Sequence, residues 1–151
     1  MVMSEIKVKK ITYSDTFPVR SAVLRQGKPI ETCFFLGDDD KDTTHFGLFN
    51  DEKLIGVASV FKVSNEKFDK KQQFQLRGMA VLNEYQGLGF GNVLLDEVCK
   101  FVTTKNADVL WFNARENAVK FYQNFGFSVL GDSFEIPEIG LHSLMFKYFV
   151  V

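Results

Sequence analysis

Three glycines at alternate positions, in the run Gln86-Gly87-Leu88-Gly89-Phe90-Gly91, follow an apolar stretch and lead into a segment with helical spacing. Glycine reaches backbone conformations that other L-residues avoid, so successive N–H groups of such a run can turn into one concavity. A helix that starts there adds its unpaired N–H groups and the positive end of its dipole. The combination suits a pyrophosphate, held by geometry and not by net charge. A plain tight turn from strand to helix is the competing reading. A Walker loop would need Lys-Ser/Thr after its last glycine, and Asn92-Val93 stand there. A dinucleotide fold opens with its glycine loop, whereas about 80 residues with hairpin character precede this one. Asp108, the acid that would hold a ribose, comes before the strand it would have to follow. The remaining pattern, Gln/Arg-x-x-Gly-x-Gly/Ala, is met by Gln86, Gly89 and Gly91.

Together with the preceding Leu76-Arg77-Gly78-Met79-Ala80-Val81, this run resembles the fourth strand and cofactor loop of the GNAT superfamily of acetyl-CoA-dependent N-acyltransferases. Some 30 residues further on, Ala118, Phe121, Tyr122, Gly126 and Phe127 are similar to the A-x-x-F-Y-x-x-x-G-F helix of the same superfamily. Arg20 to His45 and Gly140-Leu141-His142-Ser143-Leu144-Met145 carry a weaker resemblance to its ElaA-like branch. The resemblance implies an α+β fold with a mixed, mostly antiparallel sheet, helices on both faces and a splay at the central strands. It implies acetyl-CoA as co-substrate, with the backbone of Met79, Ala80 and Val81 beside the pantetheine arm. A sheet edge opened by a bulge accepts such a pseudo-peptide as an added strand. Gln86, Gly87, Leu88, Gly89, Phe90 and Gly91 would surround the pyrophosphate, with Arg115 and Phe121 as further cofactor contacts. Many members carry Asn where Arg115 stands, and an arginine there can reach a phosphate instead.

The implied chemistry is transfer of an acetyl group to a primary amine of a small molecule or peptide, by direct attack in a ternary complex. The alternative is an acyl-CoA-binding regulatory or sensor module without turnover. An amine attacking a thioester needs a free lone pair, a donor for the developing oxyanion and an acid for the departing thiolate. The family pattern places Tyr122 beside the cofactor sulfur as that acid. Because an amine of pKa near ~10 is mostly protonated at neutral pH, a base is also needed. Glu84 and His142 are its candidates, directly or through water, because Gln73 and Gln75 are amides. The plain reading of His45 and His142 is a hydrogen-bonded or exposed imidazole, and that of Asp38 to Asp42 is a solvated loop. No metal site is expected, with two histidines and no C-x-x-C pair.

These groups need elements to position them. Glu5 to Ile11 reads as an edge strand, and a helix from about Thr16 to Arg25 offers Phe17, Val19, Ala22, Val23 and Leu24 to a core. Pro29 to Thr44 reads as a loop. His45–Phe49 and Leu54–Val63 form an antiparallel pair across a polar turn. Ser64–Gln72 is lysine-rich and reads as a mobile connection before a strand from Gln73 to Val81. Asn92–Thr104 and Glu116–Phe125 have helical spacing, the second ended by Gly126. Val109–Phe112, Phe127–Leu130 and Leu141–Phe149 complete the strands, with Pro137 and Gly140 in the last loop.

Length and composition set the limits. A chain of 151 residues that is 46% hydrophobic suits one domain over residues 1–151, and the 17 phenylalanines fill its core. With 18 Lys and Arg against 19 Asp and Glu there is no global field to hold nucleic acid or an anionic membrane. The expected partner is the amine substrate, and a homodimer is allowed. Two separated cysteines suit a reducing compartment, and the charged, alternating start does not read as a signal peptide, so a cytoplasmic location is expected.

Overall fold

Seven consecutive residues from Ile55 to Phe61 are buried, so both faces of that segment must be covered and it takes a central place in a sheet. The computed structural model describes residues 4–149. Seven strands, β1 (Ile6–Ile11), β2 (Thr44–Asn50), β3 (Lys53–Phe61), β4 (Gln73–Val81), β5 (Val109–Arg115), β6 (Ser128–Ile136) and β7 (Gly140–Tyr148), are hydrogen-bonded in the order β1-β2-β3-β4-β5-β7-β6. The sheet is mixed and mostly antiparallel, with β4 and β5 parallel. Three helices, α1 (Phe17–Leu24), α2 (Phe90–Thr104) and α3 (Val119–Asn124), accompany it. No helix among the described residues is long and apolar enough to cross a membrane.

The chain forms two compact units, one of residues up to Lys62 with Leu76–Phe101, the other of Val63–Gln75 with the residues from Val102 on. In the first unit β1 and β3 flank β2, and a tight turn joins β2 to β3 with Asp51 at φ 54°. Asp51 ties that turn to the chain start: its Oδ1 accepts from Glu5 N at 2.8 Å and its N donates to Glu5 O at 2.7 Å. The missing side chain of Gly56 lets α2 lie close to β3, since a Cβ there would stand 3.0 Å from Leu94 Cδ1. Leu94, Leu95 and Val98 of α2 are fully buried. The expected first helix is shorter at both ends, because Ser14–Thr16 forms a 3-10 turn and the helix closes at Leu24. Residues Ile30–Cys33 form a further 3-10 turn within the segment read as loop.

In the second unit β7 pairs antiparallel with β5, from Val109↔Tyr148 to Arg115↔His142, and with β6 across an irregularity between Leu130 and Phe134. Gln73 to Gln75 pair in parallel with Val109 to Trp111. Phe68, Val109, Trp111 and Leu144 make the core, and Trp111 Nε1 donates to Val63 O at 2.9 Å. The lysine-rich connection is tied down, against the sequence expectation. The Gln73 side-chain amide accepts from Asn65 N and donates to the carbonyls of Asn65, Phe68 and Lys70, while Asp108 Oδ2 accepts from Gln72 N. Two further expectations change here. β5 runs on to Arg115, so the helix after it opens as a 3-10 turn at Glu116–Ala118. β6 extends to Ile136, and Gly140 begins β7.

Candidate functional site

In the first unit β4 ends with Ala80 and Val81 buried, and its next residues fold into a 3-10 turn, Asn83–Tyr85. Gln86 then fixes the loop from within: its Nε2 donates to Val81 O at 2.8 Å and to Asn83 Oδ1 at 3.1 Å. Gly87 and Gly89 have φ of 76° and 89°, the region that L-side chains rarely enter, and a Cβ on either would meet nothing within 4 Å. Gly91 does not share this conformation, contrary to the reading of three equivalent glycines, because α2 already begins at Phe90 and places it in the first helical turn. The loop therefore turns open space, backbone N–H groups and the N-terminus of a helix of 15 residues together. Leu88 at its tip is two-thirds exposed. Glu84 is exposed, and Lys53 Nζ lies 3.8 Å from its carboxylate.

β4 itself carries an irregularity. Gly78 has φ 64°, and a Cβ there would stand 2.9 Å from Phe35 Cε2 and 3.3 Å from Arg20 Nε. What forces glycine at this position is a buried polar cluster that the sequence reading missed. The Arg20 guanidinium, fully buried, grips Asp38 through both oxygens at 2.6 and 3.0 Å, and donates to Cys33 O and Ser59 Oγ. His45 Nε2 donates to Asp38 O at 2.9 Å, so Nδ1 is the acceptor for the Ser59 hydroxyl at 2.6 Å. The burial of Asp38 corrects its reading as part of a solvated loop. His45 follows its plain reading as a hydrogen-bonded imidazole.

Burial holds the His45 pKa below its ordinary value, against the hydrogen bond to the Asp38 carbonyl and the Asp38 charge, which raise it. The unfolded chain therefore binds a proton below about pH 6.5 that the folded one refuses, and stability is lost as pH falls through that range. Denaturant unfolding between pH 7.5 and 5.5 should show this slope, up to about 1.4 kcal/mol per pH unit for one proton, and His45→Gln should flatten it. An equal slope in that variant would assign the effect to other groups.

In the second unit Tyr122 of α3 packs its ring against Phe112, Phe121 and Phe127, at 4.4, 5.1 and 6.2 Å between centroids. Burial at its hydroxyl end pushes the phenol up to about 12, although the ring keeps some exposure. Arg115 is exposed at the end of β5, where its register partner on β7 is His142. His142 is buried, stacked on Phe134 at 6.2 Å, with Nδ1 2.8 Å from Gly140 O. Donation from Nδ1 leaves Nε2 as the basic nitrogen. The structure thus gathers Met79 to Gly91 in one unit with Glu84, and Arg115, Phe121, Tyr122 and His142 in the other. No cluster of His, Cys, Asp or Glu among the described residues could hold a metal.

Residues 11–127 match the acetyltransferase (GNAT) family. The uncharacterized N-acetyltransferase YitI of Bacillus subtilis (strain 168) is 32% identical over 142 residues, which are 94% of this chain and 95% of that protein. Among solved structures, ElaA of Escherichia coli aligns at TM-score 0.70 with 19% identity, over 95% of this chain and 99% of its own. The PaiA N-acetyltransferase of Thermoplasma acidophilum, in complex with coenzyme A, aligns at TM-score 0.70 with 20% identity, over 96% and 99%.

Proposed function

The chain belongs to the acetyltransferase (GNAT) family, and from that membership we propose that it moves an acetyl group from acetyl-CoA to a primary amine of a small molecule or peptide, by direct attack in a ternary complex. The observation that carries this reading is the loop from Gln86 to Gly91, where two left-handed glycines open onto free space at the start of α2. Its N–H groups would hold the pyrophosphate of the cofactor, and the backbone of Met79, Ala80 and Val81 would pair with the pantetheine arm. The coenzyme A bound by PaiA, a protein of the same fold, supports this choice of ligand. Arg115 and Phe121 are assigned to the cofactor as well. The fixed tautomer of His142 favours it as the base that frees the amine lone pair; Glu84, exposed beside Lys53, is the second candidate and would act through water.

Tyr122 is assigned to the departing sulfur. A phenol at about 12 keeps its proton at neutral pH, but full transfer to a thiolate of pKa ~8.5 runs uphill by roughly three and a half units, about 5 kcal/mol. Its role is then a hydrogen bond that strengthens as charge develops on sulfur, with solvent completing the protonation. Release of free thiol from acetyl-CoA across a panel of amines tests both statements. At least one amine should raise release above hydrolysis, and Tyr122→Phe should lower kcat for it by roughly ten- to a hundred-fold with KM for acetyl-CoA nearly constant. Stabilisation by coenzyme A with no amine-dependent release would make the chain a sensor module. Wild-type turnover in Tyr122→Phe would reduce the tyrosine to packing.

A further inference from the structure

Three guanidinium groups surround one phenylalanine in the first unit. The Cζ atoms of Arg20, Arg77 and Arg25 lie 3.9, 5.0 and 5.1 Å from the centre of the Phe35 ring, and Arg77 also stands 5.3 Å from the centre of Phe61. Among the described residues the carboxylate in contact with this group is Asp38, and both of its oxygens are taken by Arg20. Arg25 donates Nε to Thr32 O and Nη1 to Leu24 O. Arg77 is different. It is half-buried on β4, and among the described residues no carboxylate lies within ion-pair distance of it and no acceptor takes its hydrogen bonds. Two aromatic rings flank a planar donor fork whose own partner is missing from the fold. Burial acts against its charge, with Arg20 and Arg25 adding to that and Asp38 opposing it. An anion arriving there would relieve an imbalance already built into the unit.

We infer that Arg77 binds the carboxylate of the acceptor, so that the amine acetylated is one that also bears a carboxylate, as in an amino acid or a peptide C-terminus. This rests on the acetyltransferase reading above. The planar fork suits two parallel bonds to a carboxylate, and the flanking rings keep its orientation fixed. The pyrophosphate loop is not the source of this anion. From Arg77 to Val81 the strand alone advances about 13 Å at roughly 3.3 Å per residue, and Gly87 and Gly89 lie beyond it.

Matched acceptors test the inference: L-phenylalanine against phenethylamine, and L-lysine against cadaverine. The wild-type chain should favour the acid-bearing member of each pair by at least tenfold in kcat/KM. Arg77→Gln should bring that preference within about threefold, chiefly through KM, and Arg77→Lys should restore part of it. Acetyl-CoA binding, followed by thermal shift, should hold steady in both variants. Absence of preference in the wild type, an equal loss on both members of a pair, or weakened acetyl-CoA binding in Arg77→Gln would overturn the inference. Should none of the four amines react, calorimetric binding of N-acetyl-L-phenylalanine decides. A tenfold loss in Arg77→Gln supports the site, and no binding to the wild type removes it. Failure of the wild type to bind acetyl-CoA would instead strike at the acetyltransferase reading, and is measured separately.

Discussion

Gly89→Val is expected to weaken acetyl-CoA binding by at least a hundred-fold in a chain that still folds. A β-branched residue at φ 89° carries backbone strain of roughly 1–3 kcal/mol, which the loop relieves by turning its N–H groups away from their common centre. Its side chain also enters the space that a phosphate would fill, since a Cβ at Gly89 meets no protein atom within 4 Å. The two effects fall on binding and not on the core. Gly27 supplies a matched control, with φ 73° and equally open surroundings, but in the turn after α1. Gly27→Val should show the strain as lost stability while binding acetyl-CoA normally. Calorimetric titration of both variants checks the pair, and unaltered affinity in folded Gly89→Val would remove the phosphate assignment.

Asp38→Ala is expected to destabilise the chain by about 3–5 kcal/mol, a large share of the 5–15 kcal/mol that holds a typical domain together. The loss does not measure the attraction of the pair. It measures the cost of leaving Arg20 fully buried and charged without a counter-ion, while Phe35 N loses the acceptor it has at 2.8 Å. Replacing both charges, as in Arg20→Met with Asp38→Leu, should recover much of the loss, because desolvating a buried pair offsets most of its Coulomb gain. Urea unfolding of the single and double variants tests this. A cost below about 1 kcal/mol for Asp38→Ala would mean that water reaches Arg20 and the cluster is not closed. Gly78, where an added Cβ would stand 2.9 Å from Phe35 Cε2 and 3.3 Å from Arg20 Nε, joins this cluster to Met79, the first residue proposed above for the pantetheine arm.

The parts of this architecture that were legible in the sequence are those that local pattern encodes. β4 spans the residues expected, because the lysine-rich segment before it and the glycine loop after it mark both of its ends. The glycine loop and the helix after it were legible for the same reason, although the helix begins at Phe90 and not at Asn92, and so was Gly126, which takes φ 105° where a helix must stop. Arg20 was not legible. Its place on α1 follows from periodicity, but its partners are 18 and 39 residues away, and no local pattern tells a buried arginine from a solvated one. Asp38 was hidden by its company: of the acids from Asp38 to Asp42, it alone is buried. Gly78, a glycine inside an apolar strand, was the one available signal, since such a residue marks a bulge or a close approach. The tethered segment from Ser64 to Gln72 misled for a related reason, because its order comes from the side chains of Gln73 and Asp108 and not from its own composition.

Trp111 is the chain's one tryptophan, buried in the second unit with its indole N–H held by Val63 O. Its emission is therefore a single-site optical signal that belongs to one unit alone. Circular dichroism, by contrast, averages over every strand and helix. Comparing the two along one denaturation curve separates events near the indole from those elsewhere, without a label or an engineered dye. The arginine cluster around Phe35 and the glycine loop belong to the other unit.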